Sequence, residues 1–285
     1  MSSGPTVHRR QLGAELRRLR EAAGLRTEDA AKALSCSHTR ISRIESGKGG
    51  AVAKPGDVRA LCDLYGITDE RTVETLLDML TVASRQRGWW EAFEGILPSG
   101  LSIYVGLESG ARAELGWEPL LIHGLLQTAD YARAVFKLWG TNRPHDIDDL
   151  VEVRTERQKL LTREGSPLEL WAVFDEAAIV RPLGGTQIMR DQLRHLASVT
   201  DLSNVTIQVI PFRSGGHPGL GGAFSILEFE EDEPVAYIDC PAGNLYLEKK
   251  HDIRTFMSTF DLLRAMALPP DESRALINRA AEEMK

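Results

Sequence analysis

Residues 27–47, with the sequence TEDAAKALSCSHTRISRIESG, constrain the fold of this chain more than any other stretch. Alanines fill the first run, residues 35–37 interrupt the helical pattern, and Ile41 and Ile44 then recur at helical spacing. A serine is positioned to cap the second run, and Gly47 is positioned to end it. The spacing predicts a short helix, a tight turn and a second helix whose outer face can enter the major groove of DNA.

Helical periodicity continues on both sides of this unit. Upstream, residues 9–23 place three leucines on one stripe among several arginines, and a glycine then marks the end of the helix. Downstream, residues 57–65 and 69–84 repeat the apolar pattern. The sequence therefore predicts an all-α N-terminal domain, residues 1–84, in which five helices surround one small core.

The charge of the chain is divided unevenly along its length. The net charge is −7, but residues 1–60 contain 12 Lys and Arg against 6 Asp and Glu, whereas the remainder contains 22 against 35. A basic front end is drawn to phosphate, and the acidic remainder is repelled by it. The pattern favours a small DNA-binding domain followed by an acidic domain with another task.

The apolar runs and the cysteines of the sequence predict the cellular compartment in which the protein is found. No apolar run in the sequence approaches the roughly 20 residues that span a bilayer, and the first residues lack the apolar core of a signal peptide. The cysteines, Cys36, Cys62 and Cys240, are far apart and odd in number, which suits free thiols in a reducing environment. We expect a cytoplasmic protein with no membrane partner.

A second core begins near residue 85, where aromatic and aliphatic residues crowd together. Helical patterns over residues 107–115, 125–139 and 147–161 precede short runs with a period of two, and helical patterns return towards the end. Residues 85–285 are therefore predicted to form a larger α+β domain whose antiparallel or mixed sheet is covered by helices. The predicted strands are LELWAVF, VTIQVI, AFSILEF, VAYI and NLYLE.

Residues 9–67 resemble the lambda-repressor-like, or Xre-type, helix-turn-helix domain. The resemblance rests on LRRLREAAGLRTEDAAKAL, ISRIESG and DVRALCDLYGI taken together, since each alone is a weak signal. The resemblance implies that the second helix of the motif reads double-stranded DNA. It assigns base contacts to His38, Thr39 and Arg43.

The same resemblance implies contacts around the ends of the motif. It assigns phosphate contacts to Arg26, Thr27 and Lys48, near helix ends where backbone N–H groups also face the duplex. It also implies an ion pair between Arg20 and Glu45 that braces the first helix against the recognition helix. Arg26 and Thr27 stand where the family usually has Ser/Thr-Gln.

Each of these assignments has a structural alternative. A surface arginine such as Arg43 is often only a solvated charge, and His38 can be an ordinary exposed residue. The ring of His38 can donate to or accept from a base edge, so a contact there does not specify the base. Glu45 can be an exposed acid, although its position beside an inward isoleucine favours the ion pair.

Residues 88–277 resemble the C-terminal domain, described as antitoxin-like, that accompanies Xre-type domains in many regulators from GC-rich filamentous bacteria. The resemblance rests on LESGA, GLLQTADYARAV, RTERQKLL, FDEAAIVRPLGG and QVIPFRSGGHPGLGGAFSILEF. His123 stands where the family usually has a proline before GLLQT. The resemblance implies a transcriptional regulator that is often encoded beside a small partner protein, and it supplies no ligand and no reaction.

The predicted second domain offers candidate binding residues but no complete catalytic set. Asp175 and Glu176 could act as acid and base, but an aspartate at a strand end more often caps a helix with the glutamate in its first turn. SGGHPGLGG lacks the lysine and the following helix of a phosphate loop, so it is predicted to be a mobile loop with an exposed histidine. The histidines show no metal-ligand spacing, and we expect no metal, cofactor or reaction. The candidate ligand or partner site comprises Gln127, Tyr131, Arg154, Glu176 and Arg181.

The sequence favours a DNA-binding transcriptional regulator that acts as a homodimer on two half-sites. Its second domain is expected to bind a small partner protein or a small-molecule effector that modulates DNA binding. One alternative is an antitoxin that neutralises a neighbouring small protein and uses DNA binding only for autoregulation. Another is an enzyme tethered to DNA that uses Glu176 and the arginines around it.

Overall fold

A computed structural model describes residues 5–47, 53–85, 89–93, 95–98, 100–138, 144–230, 232–240 and 244–284. Contacts divide the chain into two compact units. The N-terminal unit comprises residues 1–92 and 100–110, and the C-terminal unit comprises residues 93–99 and 111–285.

The described part of the N-terminal unit is all-helical, as the sequence predicts. Leu16, Ile41, Val58 and Leu61 have no exposed surface and form the centre of one apolar core. The five predicted helices are followed by a sixth, which packs against the first although it lies beyond the predicted boundary at residue 84. The helices are α1 Pro5–Ala22, α2 Thr27–Ala33, α3 His38–Ser46, α4 Pro55–Leu64, α5 Glu70–Arg85 and α6 Leu101–Gly110.

Two capping residues that can be recognised in the sequence fix the ends of α3. The Ser37 side chain accepts a hydrogen bond from the Arg40 backbone N–H at 3.3 Å, which satisfies one of the free donors of the first turn. Gly47 ends the helix with a φ of 63°, a left-handed conformation that glycine adopts without a steric penalty. The predicted span of this helix, residues 38–46, is confirmed.

The C-terminal unit is built around a mixed sheet. Within the described residues six strands pair in the order β3-β2-β1-β4-β5-β6; β1, β2 and β3 are parallel, and the remaining pairs are antiparallel. The predicted α+β class and mixed sheet are confirmed. The strands are β1 Ala113–Glu118, β2 Glu169–Asp175, β3 Val205–Ile210, β4 Phe224–Glu228, β5 Val235–Ile238 and β6 Leu245–Leu247. The helices are α7 Ala129–Leu138, α8 Pro144–Gln158, α9 Glu176–Val180, α10 Thr186–Val199, α11 Lys250–Met266 and α12 Pro270–Glu283.

The prediction of a helix over residues 107–115 is confirmed for residues 107–110 and wrong for residues 113–115. Helix α6 ends at Gly110, and residues 113–118 form β1, which lies between β2 and β4. Its sequence AELGWE contains good helix formers and lacks the β-branched residues that usually mark a strand. Pairing on both edges and burial override that local preference. The helix predicted for 125–139 is also shorter, since residues 124–126 form a 3₁₀ turn before α7.

The two faces of the sheet differ in character. One face packs on α11 through an apolar cluster that includes Trp117, Val173, Ile226, Phe260 and Leu263. The alternation along β1 places Glu114, Gly116 and Glu118 on the other face. There the ring of His123 lies against Gly116, where any side chain would collide with it. The second face therefore contains polar groups beneath the segment that leads into α7.

The close contact between α1 and α3 depends on Gly13, because a methyl group there would overlap the carbonyl oxygens of Ile44 and Glu45. We expect Gly13→Ala to destabilise the N-terminal unit by about 1–3 kcal/mol through overpacking, less the gain of up to ~1 kcal/mol from replacing a helical glycine. Amide hydrogen exchange of α1 and α3 in the full chain measures this effect. Gly56→Ala is the matched control, since nothing lies within 4 Å of the added atom, and equal protection in the two variants would contradict the expectation.

Candidate functional site

The outer face of α3 presents a row of polar side chains. His38, Thr39 and Arg43 are all exposed, whereas Ile41 and Ile44 are buried in the core. The helical period separates the two sets, so fixing the isoleucines in the core directs the polar residues away from it. The structure thus brings the three predicted base-contact residues together on one accessible surface.

Two arginines of α3 have different roles. Arg40 is half-buried, and its Nη2 lies 2.7 Å from Oδ2 of Asp57 on α4. Its charge is therefore neutralised within the N-terminal unit. Within the described part of the chain, the Arg43 guanidinium makes no hydrogen bond or ion pair. Arg43 is therefore free to meet a base edge. The sequence analysis did not predict this ion pair of Arg40. The one feature of the sequence that pointed to it was Asp57, an aspartate placed to cap α4.

A buried ion pair connects α1 to α3. The Nε and Nη2 atoms of Arg20 lie 2.7 and 2.8 Å from the two carboxylate oxygens of Glu45, and Nη1 donates to the Leu25 carbonyl at 2.8 Å. Only 9% and 6% of the two side chains are exposed. Hydrogen bonding to Glu45 raises the pKa of Arg20 further, so the guanidinium stays charged. Because the pair is bidentate, it restrains the rotation of α3 as well as its distance from α1.

The predicted phosphate contacts lie at the start of α2. The Arg26 side chain is 80% exposed, and Thr27 is half-buried in the first turn. The Arg26 backbone N–H donates to Asp29 Oδ2 at 2.8 Å, so an acid from the first turn, rather than the usual Ser or Thr, caps this helix. Lys48, the third predicted phosphate contact, lies outside the described residues.

The five candidate residues of the C-terminal unit fall into two groups. Gln127 and Tyr131 are buried around Ile122, whose carbonyl accepts from Gln127 Nε2 at 2.7 Å and whose N–H donates to the Tyr131 hydroxyl at 3.2 Å. The guanidinium of Arg154 lies 5.1 Å from the centre of the Phe136 ring and packs beside residue 124. These three residues therefore belong to one polar region under α7 and α8.

Glu176 and Arg181 lie at the carboxyl end of β2 instead. Asp175 caps α9 by accepting from the Ala177 N–H at 2.8 Å, and Glu176 occupies the first turn of that helix. Glu176 Oε2 also accepts from the Phe212 N–H at 2.6 Å. Arg181 is exposed just after the helix. The two neighbouring carboxylates thus have the capping arrangement that the sequence offered as the structural alternative.

The expectation that His217 is exposed is wrong. It is 8% exposed, its Nε2 lies 3.1 Å from Oδ2 of Asp175, and its ring meets the edge of Trp117 at 5.0 Å. The indole N–H of Trp117 also donates to the Gly219 carbonyl at 2.9 Å. Residues 211–222 are therefore attached to the carboxyl ends of β1 and β2. Only the fold brings these partners together, because 42 residues separate the histidine from its aspartate.

Sequence reasoning also missed a set of acidic groups on the polar face of the sheet. Glu114 is fully buried, and its Oε1 lies 2.9 Å from Nε2 of His123. The pKa of Glu118 is raised to about 7, chiefly by burial; His123 and Arg154 act to lower it, whereas Glu114 acts to raise it. The available signal was two glutamates four residues apart, which the helical interpretation of this segment concealed.

Within the described ranges, no group of three or more His, Cys, Asp or Glu side chains could hold a metal ion. No helix in the same ranges is long and apolar enough to cross a membrane.

Loss of the Arg20 guanidinium leaves Glu45 buried without its bidentate partner. We expect Arg20→Met to destabilise the N-terminal unit by about 3–5 kcal/mol, measured by exchange of α1 and α3 amides. The double variant Arg20→Met/Glu45→Met should recover most of the lost stability, because the unpaired buried carboxylate of Glu45 is then removed as well. Arg17→Met, which breaks an exposed pair with Glu21, should leave exchange unchanged, and an effect of Arg17→Met equal to that of Arg20→Met would contradict the role of the buried pair.

Two family models match separate parts of the chain. Residues 11–76 match the family model described as Helix-turn-helix domain. Residues 101–279 match the model described as Domain of unknown function (DUF5753). No curated protein and no solved structure matches the chain. The chain therefore carries a DNA-binding helix-turn-helix domain at its N-terminal end, and because the second match covers more than half of its 285 residues, it belongs to the DUF5753 family.

Proposed function

We propose that this protein is a sequence-specific transcriptional regulator that binds DNA as a homodimer. Helix α3 lies in the major groove and reads bases with His38, Thr39 and Arg43. Arg26, Thr27 and Lys48 contact phosphates, and the C-terminal unit binds a partner protein or small molecule that changes the affinity for DNA. As a regulator of transcription, the protein acts in the cytoplasm.

The observation that carries the proposal is the separation of roles along α3. Glu45 and Arg40 are engaged by α1 and α4, whereas His38, Thr39 and Arg43 stand exposed beside them. A base-reading arginine has to arrive at the groove free of an internal carboxylate partner, and its helix has to be held rigidly. The match of residues 11–76 to a helix-turn-helix model and the resemblance to Xre-type domains support the same assignment.

We propose a dimer because one recognition helix can read only a short DNA sequence. A single recognition helix contacts only a few base pairs, so discrimination against the rest of a genome requires a second half-site. The acidic C-terminal portion is repelled by phosphate, which suits a domain that holds two N-terminal units together away from the duplex. The proposal assigns no reaction to that domain.

The antitoxin alternative differs in its partner. It requires a small protein, encoded nearby, that binds the C-terminal unit and whose toxicity is relieved by that binding. Co-purification of the neighbouring gene product and rescue of growth on its expression distinguish this function from regulation of distant promoters.

Arg43→Ala should remove base discrimination. On a selected operator we expect a loss of about 1–3 kcal/mol, and on a scrambled duplex only the small loss due to one missing charge. Fluorescence anisotropy at several salt concentrations measures both affinities. Arg18→Ala, which removes an exposed arginine of α1 that is paired with Glu15, is the control, and an equal loss on both duplexes for Arg43→Ala would overturn its assigned role.

Arg26→Ala and Lys48→Ala should behave differently from Arg43→Ala. Each removes a phosphate contact, so affinity should fall by the same factor on operator and scrambled DNA. The slope of log K against log salt should decrease in magnitude by about 1 for each variant. An unchanged slope would show that the substituted side chain does not contact phosphate.

Half-site spacing tests the dimer directly. Inserting about 5 base pairs between the half-sites places them on opposite sides of the duplex, and about 10 restores their alignment. We expect operator affinity to fall to the scrambled-DNA level in the first case and to recover in the second. Affinity independent of the insertion would indicate that the units bind separately.

A further inference from the structure

Helix α3 contains two arginines and one glutamate, and two of these three charges are paired within the N-terminal unit. Glu45 is held by Arg20 of α1, and Arg40 is held by Asp57 of α4. The Arg43 guanidinium is exposed and makes no hydrogen bond or ion pair within the part of the chain that the structure describes. One positive charge of α3 is therefore left for an outside partner.

Arg40 lies where its charge would otherwise be available to DNA. Positions three residues apart are neighbours on a helix, with Cβ atoms about 5–6 Å apart, so Arg40 lies beside Arg43. Its side chain is 32% exposed, and a long arginine side chain at such a position can extend its guanidinium into solvent. An unpaired Arg40 would therefore add a second positive charge at the edge of the surface that is proposed to read DNA.

Asp57 holds this guanidinium from the first turn of α4. Its Oδ2 atom accepts from Arg40 Nη2 at 2.7 Å and from the Lys54 backbone N–H at 2.9 Å. The Asp57 side chain is 17% exposed, so salt screens this pair less than it screens a pair on the open surface. Hydrogen bonding to Asp57, and then to Cys36, raises the pKa of Arg40, which stays charged.

The capping role of Asp57 does not require its charge. An asparagine at this position also offers an oxygen to the Lys54 N–H, but only a carboxylate cancels the charge of Arg40. If Arg40 left the pair to meet a phosphate, the carboxylate of Asp57 would remain unpaired and would repel the DNA backbone. Both partners therefore oppose a phosphate contact at this edge of α3.

A charge at this place affects random DNA more than an operator. Binding to random DNA comes almost entirely from phosphate contacts, and its register is not fixed by bases, so the protein can shift to satisfy an added charge. In the operator complex the base contacts fix the register, and an added charge has to accept the phosphate positions that this register provides. Neutralising Arg40 therefore favours the operator over the competing sites.

We propose that Asp57 is a positioning residue for specificity: it holds Arg40 away from the phosphates, so that binding depends on the base contacts of α3. The inference rests on the proposed function, in which α3 reads DNA, and it names a determinant of selectivity that lies outside the reading helix.

The test compares Asp57→Asn with the parent in the full chain, by fluorescence anisotropy on a selected operator and a scrambled duplex over a series of salt concentrations. We expect affinity for the scrambled duplex to rise roughly three- to tenfold at 0.1 M salt, and the slope of log K against log salt to increase in magnitude by about 1. Operator affinity should rise less, so the ratio of the two affinities falls. A residue that only braced the helices would instead lower both affinities when it is substituted.

Two further variants connect the effect to the pair. The double variant Arg40→Gln/Asp57→Asn has no charge at either position and should return the scrambled-duplex affinity and the salt slope to the parent values. Asp57→Glu keeps the carboxylate and should also resemble the parent. Amide exchange of α3 and α4 checks that each variant is folded, and Asp57→Ser, which keeps a capping oxygen, replaces Asp57→Asn if that variant loses protection.

Asp63→Asn is the matched control, because it removes an exposed carboxylate from the same helix by the same substitution. It should change the scrambled-duplex affinity less than twofold. An equal rise in Asp63→Asn and Asp57→Asn, or no rise in a folded Asp57→Asn variant, would overturn the inference.

The same titrations separate this inference from the proposed function. Loss of base discrimination in Arg43→Ala, with the scrambled-duplex affinity of Asp57→Asn unchanged, keeps the regulator and removes the role of Asp57. A parent chain that binds operator and scrambled duplexes equally overturns the proposed function, and the role of Asp57 in specificity with it.

Discussion

The buried Arg20–Glu45 ion pair is the interaction on which the proposed DNA-binding face of α3 depends. A charge taken out of water has to be paired, and a pair that is bidentate tolerates little rotation of its partners. Here the two partners are on different helices, and Gly13 lets those helices approach closely enough for the pair to form. The position of α3, and with it the direction of every exposed side chain on that helix, follows from this contact.

Neighbouring residues of α3 therefore have different tasks despite similar chemistry. Arg40 and Arg43 carry the same charge three residues apart, yet the first is bound by Asp57 and the second is exposed. The distinction cannot be seen in the helix itself, because Asp57 comes from a different helix 17 residues away. A surface that reads DNA is thus defined as much by which charges are neutralised internally as by which are presented.

In the C-terminal unit, the residues of one strand also have two different environments. Strand β1 lies in the middle of the sheet, with an apolar face against α11 and a polar face that holds Glu114 and Glu118. On the apolar side, residues 211–222 are attached to the strand ends through Trp117 and Asp175. On the polar side, Glu114 is fully buried beside His123, and Glu118 is half-buried. One strand therefore contributes to an apolar core on one face and to a polar cluster on the other.

The sequence by itself determined the first five helices of the N-terminal unit, the span of α3 and five of the six described strands. It could do so because caps, turn glycines and apolar periodicity act over a few residues. Only the tertiary structure decided that residues 113–118 form a central strand, since pairing with β2 and β4 outweighs the helical preference of AELGWE. The burial of His217 likewise depends on partners that are distant in sequence, and no local pattern encodes such contacts.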